Sequence, residues 1–215
     1  MALMNVIPVV TAIFGAAYAV QPGYGIGFEK DVYLWIPVLG NIVAVIVIPF
    51  VGNLSDKIGR RPPIILGAIV SGLLSFGYLY AISIHSVPLA ITMSLLMWGV
   101  VYQGYNAVFP SFYPEQFPTR TRVSAMAISQ NAGTTITALL PALFATVAPP
   151  GSENIPLTIG LITFAITAIA AIGAVSARET YRVHLNDLGR PDAVPVSKRD
   201  YEAMRAQTLA GAGAA

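Results

Sequence analysis

Six long stretches of the chain contain no Asp, Glu, Lys, Arg or His. They are residues 1–28, 32–55, 62–84, 86–114, 123–152 and 154–177. Each is longer than the roughly 20 residues that an α-helix needs to cross about 30 Å of hydrocarbon. A core helix of this length in a water-soluble protein would show a polar face, and none of these stretches has one. The pattern predicts six transmembrane helices, near residues 1–21, 32–53, 64–84, 88–110, 123–148 and 155–177.

Composition supports the same fold class, an all-α membrane protein. The chain is 55% hydrophobic and 10% charged, against about 25% charged in soluble domains, and its mean hydropathy is +0.69. A net charge of +2 is too small to indicate a nucleic-acid partner. The absence of cysteine excludes disulfides, thiol catalysis and cysteine metal sites. His85 and His184 lie on different segments, so we expect neither a metal site nor a cofactor.

The charges in the loops predict the orientation. Eleven of the 12 Lys and Arg residues follow spans two, four and six, whereas Lys30 lies on the other side. Under the positive-inside rule, both termini are cytoplasmic, and we expect a multi-pass protein of the plasma membrane, the inner membrane in bacteria. Residues 1–177 would form the membrane domain and residues 178–215 a partly disordered cytoplasmic tail. The first span resembles a signal peptide near Ala17, but no base precedes it, so we expect it to be retained.

The amide side chains inside the spans are unevenly distributed. Spans one, two, four and five contain Asn or Gln, whereas spans three and six contain neither. An amide that faces lipid finds no hydrogen-bond partner there. We therefore expect spans one, two, four and five to line a cavity, with spans three and six outside. No span carries an ionisable side chain, although proton relays in membranes are normally built from such groups.

The candidate cavity residues lie near the middle of their spans, judged from a rise of about 1.5 Å per residue. Trp98, Tyr102 and Asn106 recur every four residues and should share a helix face, as should Gln130 and Thr134. Aromatic walls with amide and hydroxyl groups suit a small polar solute. The alternative is that these groups only hydrogen-bond between helices and hold the bundle together. The full set is Asn41, Trp98, Tyr102, Gln103, Asn106, Gln130, Asn131 and Thr134.

A compact charged turn, GNLSDKIGRR, joins spans two and three at residues 52–61. Asp56 is placed to meet the positive N-terminus of a helix. Gly59 permits a tight turn, and Arg60 and Arg61 supply planar donors for a carboxylate. A plain basic loop that fixes the topology is the alternative interpretation.

This turn resembles motif A of the major facilitator superfamily, G-x-L-a-D-r-x-G-R-[RK]. The segment YPEQFPTRTR, residues 113–122, resembles the P-E-x-F-P-T-x-x-R loop between spans ten and eleven of that superfamily, and RETY follows the last span. Together they resemble the metabolite:proton symporter family, which includes carriers of proline/betaine, shikimate and 2-oxoglutarate. The resemblance covers residues 1 to about 185. Members have twelve spans, so it implies that this chain corresponds to the second six.

The resemblance implies the C-terminal half of a secondary active transporter, not an enzyme. Its solute would be a small polar metabolite (an organic acid, amino acid or betaine), carried with protons in the full-length form. Partners would be the lipid bilayer and either an N-terminal six-helix half or a second copy of the chain. A non-transporting scaffold, a truncated remnant and a dimeric half-size transporter remain open. The implied cytoplasmic gate residues are Gly52, Asp56, Gly59, Arg60, Arg61, Glu115, Arg120 and Arg122.

Overall fold

The computed structural model describes residues 2–183, 187–189 and 193–212, and all regular secondary structure in these ranges is helical. The helices are α1 (Ala2–Val20), α2 (Lys30–Ile58), α3 (Arg61–Ser83), α4 (Val87–Glu115), α5 (Arg122–Ala138), α6 (Leu140–Val147), α7 (Ile155–Ser176) and α8 (Lys198–Ala212). The described part of the predicted tail contains one helix, α8. His184, Arg190 and residues 213–215 of that tail lie outside the described ranges.

Five of these helices, α1 to α4 and α7, are long and apolar enough to cross a membrane. They coincide with predicted spans one to four and six. The fifth predicted span is divided into α5 and α6, which are separated at Leu139. Pro141 has no backbone N–H, so it cannot bond to the carbonyl of Thr137 and the regular helix is interrupted there. The structure thus confirms a helical membrane fold, while the count of six uninterrupted spans is not confirmed.

The helices approach one another closely where small residues lie at their crossings. The most extensive contact joins α3 to α7, the two long helices that lack amides. A Cβ atom at Gly72 would lie 2.1 Å from the hydroxyl of Thr167, so only glycine fits at this crossing. Helix α1 contacts α2, α3, α5, α6 and α7, and α4 packs between α2 and α3. Among the amide-bearing helices, the more extensive contacts join α1 to α5 and α2 to α4.

Two of the amide-bearing helices contain a π-helical segment. In α1 it covers Val9–Phe14, and in α4 it covers Leu95–Val101. In such segments an N–H bonds to the carbonyl five residues back, so the carbonyl four residues back loses its usual donor. These segments are frequent at functional sites. In α1, the N–H of Gly15 bonds to Val10 O instead of Thr11 O. The hydroxyl of Tyr33, itself 2.6 Å from the hydroxyl of Tyr78, donates to Thr11 O.

Candidate solute site and cytoplasmic cluster

Trp98 is the centre of the polar group between α2 and α4. Its indole Nε1–H donates to Asn41 Oδ1 at 3.1 Å. Its ring stacks on Tyr102, with centroids 5.6 Å apart and an interplanar angle of 27°. A Cβ at Gly40 would lie 2.9 Å from Trp98 Cδ1, so a glycine is what lets the indole lie against α2. Trp98 is half-buried and Asn41 is exposed, so this group lies on an open face of the chain.

Gln103 supports the distorted part of α4. The N–H of Tyr102 bonds to Met97 O, five residues back, instead of Trp98 O. The side-chain amide of Gln103 donates to Trp98 O at 2.7 Å and thereby gives that carbonyl a donor. Its own Oε1 accepts from Asn106 Nδ2 at 2.9 Å. Gln103 is only 1% exposed, so its amide stabilises the backbone beneath Trp98.

The remaining candidates form a second group between α1 and α5. Asn5 Nδ2 donates to Thr134 Oγ1 at 3.2 Å. Gln130 lies one turn before Thr134, and its Oε1 is buried without a hydrogen-bond partner. Asn131 is exposed on the same helix. Among the described residues, hydrogen bonds join side chains within each of the two groups, and none joins one group to the other.

Arg60 links the ends of α2 and α4 at the predicted cytoplasmic face. Its guanidinium donates to the carboxylate of Asp56 and, at 2.8 Å, to Ser55 Oγ. Its Nη2 lies 3.7 Å from Glu115 Oε1, and Glu115 also accepts a hydrogen bond from the hydroxyl of Thr180. The side chains of Arg60 and Glu115 are 16% and 17% exposed, so this ion pair is largely shielded from solvent. An ion pair in such surroundings is screened little by solvent, and it joins the two helix ends.

Glu179, just after α7, caps the N-terminus of α3. Its two carboxylate oxygens accept the backbone N–H groups of Arg60 at 2.9 Å and Arg61 at 3.0 Å. These N–H groups have no partner inside the helix, and they form the positive end of its dipole. Gly59 has φ +109°, and a Cβ there would lie 2.7 Å from Glu179 Oε2. The turn therefore requires glycine for its conformation and for the space that Glu179 occupies.

The structure brings together some of the predicted gate residues and not others. Arg61 donates to Ala174 O at 3.1 Å and to the next carbonyl, at the C-terminal end of α7. Arg122 instead contacts its own loop, at 3.4 Å from Phe117 O. Arg120 is exposed, and nothing lies within 4 Å of a Cβ built at Gly52. The residues that converge are Asp56, Gly59, Arg60, Arg61 and Glu115, together with Glu179.

Sequence reasoning did not select Glu179, nor the tyrosine pair Tyr33 and Tyr78. The segment RETY places an acid directly after the last span, next to a basic loop in the predicted topology. This position next to a basic loop was the feature of the sequence that could have identified Glu179. Nothing in the spacing of Tyr33 and Tyr78 indicates that they meet, because they are 45 residues apart on different helices.

Long apolar helices joined by short polar turns define a helical membrane protein that crosses the bilayer several times. When the sequence is compared with known protein families, the model of the Major Facilitator Superfamily matches residues 1–210. The chain belongs to the Major Facilitator Superfamily, which confirms the resemblance drawn from its two loops.

Its curated relatives are transporters. It is 33% identical to the proline/betaine transporter of Salmonella typhimurium over 132 residues, 61% of this chain and 26% of that protein. It is 30% identical to the glycine betaine/proline/ectoine/pipecolic acid transporter OusA of Dickeya dadantii over 60% of this chain and 24% of the relative. A probable 4-methylmuconolactone transporter of Cupriavidus pinatubonensis is 27% identical over 78% of this chain and 43% of its own length. The chain thus spans less than half the length of each of these relatives.

Proposed function

We propose that the chain is the C-terminal half of a secondary active transporter for a small polar metabolite, with proton symport in the full-length form. The observation that carries this is a superfamily match over residues 1–210 in a chain that spans less than half the length of its relatives. The names of those relatives favour an amino acid or betaine, and a small organic acid remains in the proposed class. The protein would lie in the bacterial inner membrane, with residues 1–177 as the membrane domain and residues 178–215 as a cytoplasmic tail.

The two polar groups would form one wall of the solute cavity, and the partner half would supply the other. Trp98 and Asn41 lie on an open face, which supports contact with a solute. The buried Oε1 of Gln130, which lacks a donor, supports the same role for the group on α5. Since the spans lack ionisable groups, the proton carrier would belong to the partner half.

The cytoplasmic cluster would act as a latch during alternating access. Arg60 forms an ion pair with Glu115 at the end of α4, and Glu179 accepts the backbone N–H groups at the start of α3. These contacts join the ends of several helices into one unit. The Asp56 side chain is 42% exposed and Arg120 is exposed, so both can contact a partner half. Breaking and remaking such contacts would close and open the cytoplasmic end.

Uptake into proteoliposomes tests the proposal. The chain is reconstituted alone and with a co-expressed N-terminal half of the Salmonella proline/betaine transporter, and uptake of labelled proline and glycine betaine is driven by a pH gradient. We expect uptake from the pair and none from the chain alone. Uptake by the chain alone would overturn the half-transporter proposal in favour of a dimeric half-size transporter. Absence of uptake in both preparations would favour a non-transporting scaffold or remnant.

A further inference from the structure

The open face around Trp98 has unusual chemistry for recognising a charged solute. Residues 32–55 and 86–114, which supply this face, contain no Asp, Glu, Lys, Arg or His. A positive charge on a solute would therefore meet no carboxylate from these two segments. The group there that can stabilise a cation is an aromatic ring, and indole is the strongest of the protein side chains in this respect.

The hydrogen bonds around Trp98 decide which part of it a solute can use. Its Nε1–H is bonded to Asn41 Oδ1, so the polar edge of the indole is occupied. Tyr102 is 5% exposed and stacks on the ring, which backs one side of it and holds its orientation. Gln103 fixes the backbone at the same residue. A half-buried ring held in this way offers its π surface to a solute.

Asn41 complements the ring with hydrogen-bond donors. Because its Oδ1 accepts from Trp98 and the residue is exposed, its amide N–H groups can donate to a solute. An exposed amide donor in the middle of a membrane helix is costly unless it meets an acceptor. A carboxylate oxygen is such an acceptor. The face therefore combines two features. The Trp98 ring can stabilise a cation that has no N–H groups, and the Asn41 amide can donate to a carboxylate.

We propose that Trp98, backed by Tyr102, binds the quaternary ammonium group of a zwitterionic solute through a cation–π interaction, while Asn41 donates to its carboxylate. This inference rests on the proposed function, because it assigns the solute of the same site. A methylated ammonium suits the site better than the N–H-bearing ammonium of proline. Those N–H groups need acceptors, and the Trp98 indole already uses one of the two lone pairs of Asn41 Oδ1.

The two tryptophans of the chain, Trp35 and Trp98, allow a matched test. Trp35→Phe leaves Trp98 as the sole indole emitter, whereas Trp98→Phe leaves Trp35, which is 59% exposed on the same helix pair. The purified 215-residue chain in lipid nanodiscs is titrated with glycine betaine and with 3,3-dimethylbutanoate, its uncharged-centre isostere. We expect saturable change in the Trp35→Phe emission, with betaine binding about tenfold tighter than the isostere. Trp98→Phe should show no change in emission.

Calorimetry on further variants separates the two ends of the solute. Trp98→Leu should abolish betaine binding, and Trp98→Phe should retain a weakened affinity because a ring remains. Asn41→Ala should lower the affinity for betaine and leave that for tetramethylammonium, which has no carboxylate, unchanged. Circular dichroism and gel filtration verify that each variant is folded.

Three outcomes overturn the inference. They are equal affinity for betaine and its isostere, betaine binding that survives in Trp98→Leu, and absence of betaine binding by the folded chain. None of them decides the proposed function, because uptake of proline or another solute by the reconstituted pair measures that separately. A reconstituted pair that transports glycine betaine with Trp98 replaced by leucine would refute the assignment and keep the transporter.

Discussion

Replacing Glu179 by alanine removes the cap of α3 and should destabilise the cytoplasmic end of the chain. The carboxylate accepts the N–H groups of Arg60 and Arg61, at 2.9 and 3.0 Å. Loss of a helix cap costs typically about 1 kcal/mol. Loss of a negative charge at the positive end of the helix dipole adds about 0.3–1 kcal/mol. The expected loss in the free energy of unfolding is therefore about 1.3–2 kcal/mol.

Thermal unfolding in detergent, followed by tryptophan fluorescence, measures this change. For a chain of this size, about 1 kcal/mol shifts the melting temperature by about 2–4 °C, so Glu179→Ala should lower it by about 3–8 °C. Glu202→Ala is the matched control. Its carboxylate is 3.9 Å from Lys198 Nζ, and their side chains are 64% and 73% exposed, so this pair should contribute less than about 0.5 kcal/mol.

A double-mutant cycle with Gly59→Ala tests the geometry itself. A Cβ at Gly59 would lie 2.7 Å from Glu179 Oε2, and φ there is +109°. The single substitution should cost both backbone strain and this clash, whereas in the Glu179→Ala background only the strain remains. We expect a coupling free energy of about 0.5 kcal/mol or more, as for residues in contact. Additive effects, or a Glu179→Ala melting temperature equal to that of Glu202→Ala, would refute the capping argument.

Three other substitutions follow from the packing of the spans. Tyr78→Phe removes one hydroxyl of the buried tyrosine pair and should destabilise the chain by about 1 kcal/mol, with faster hydrogen exchange in the π-helical part of α1 as the readout. Gln103→Leu leaves Trp98 O without its side-chain donor and should cost about 1–3 kcal/mol; an unchanged melting temperature would contradict the role of the amide. Gly72→Ala should disrupt the α3–α7 crossing and lower the yield of folded chain, whereas Gly52→Ala, with open space around it, should be neutral in the same gel-filtration assay.

The spans and the family were predictable from the sequence because both depend on local properties. A helix in hydrocarbon must exclude charge along its own length, so six uncharged stretches indicate membrane helices before any contact is known. Two short loops carried the superfamily resemblance, and the match over residues 1–210 confirmed it. The interruption at Leu139 was less visible. Prolines also lie inside α2, at Pro37 and Pro49, without ending that helix.

The partners of individual polar groups were not predictable in this way. Trp98, Tyr102 and Gln103 belong to one predicted set of cavity residues, yet their roles differ. Trp98 and Tyr102 stack, while Gln103 is buried and bonds to a carbonyl that the π-helical segment passes over. Regular 3.6-residue periodicity contains no information about such a segment. Only the tertiary structure shows that the Gln103 side chain bonds to the backbone.

By itself, the sequence determined the membrane environment, the approximate spans and the superfamily, because hydrophobicity and short motifs are properties of contiguous residues. Tertiary structure alone decided that Glu179 caps α3, although the two lie 119 residues apart, and that the amides divide into two groups. A hydrogen bond needs its atoms within about 3 Å. Which distant residues meet that condition depends on how the helices pack against one another, which no single stretch of sequence encodes.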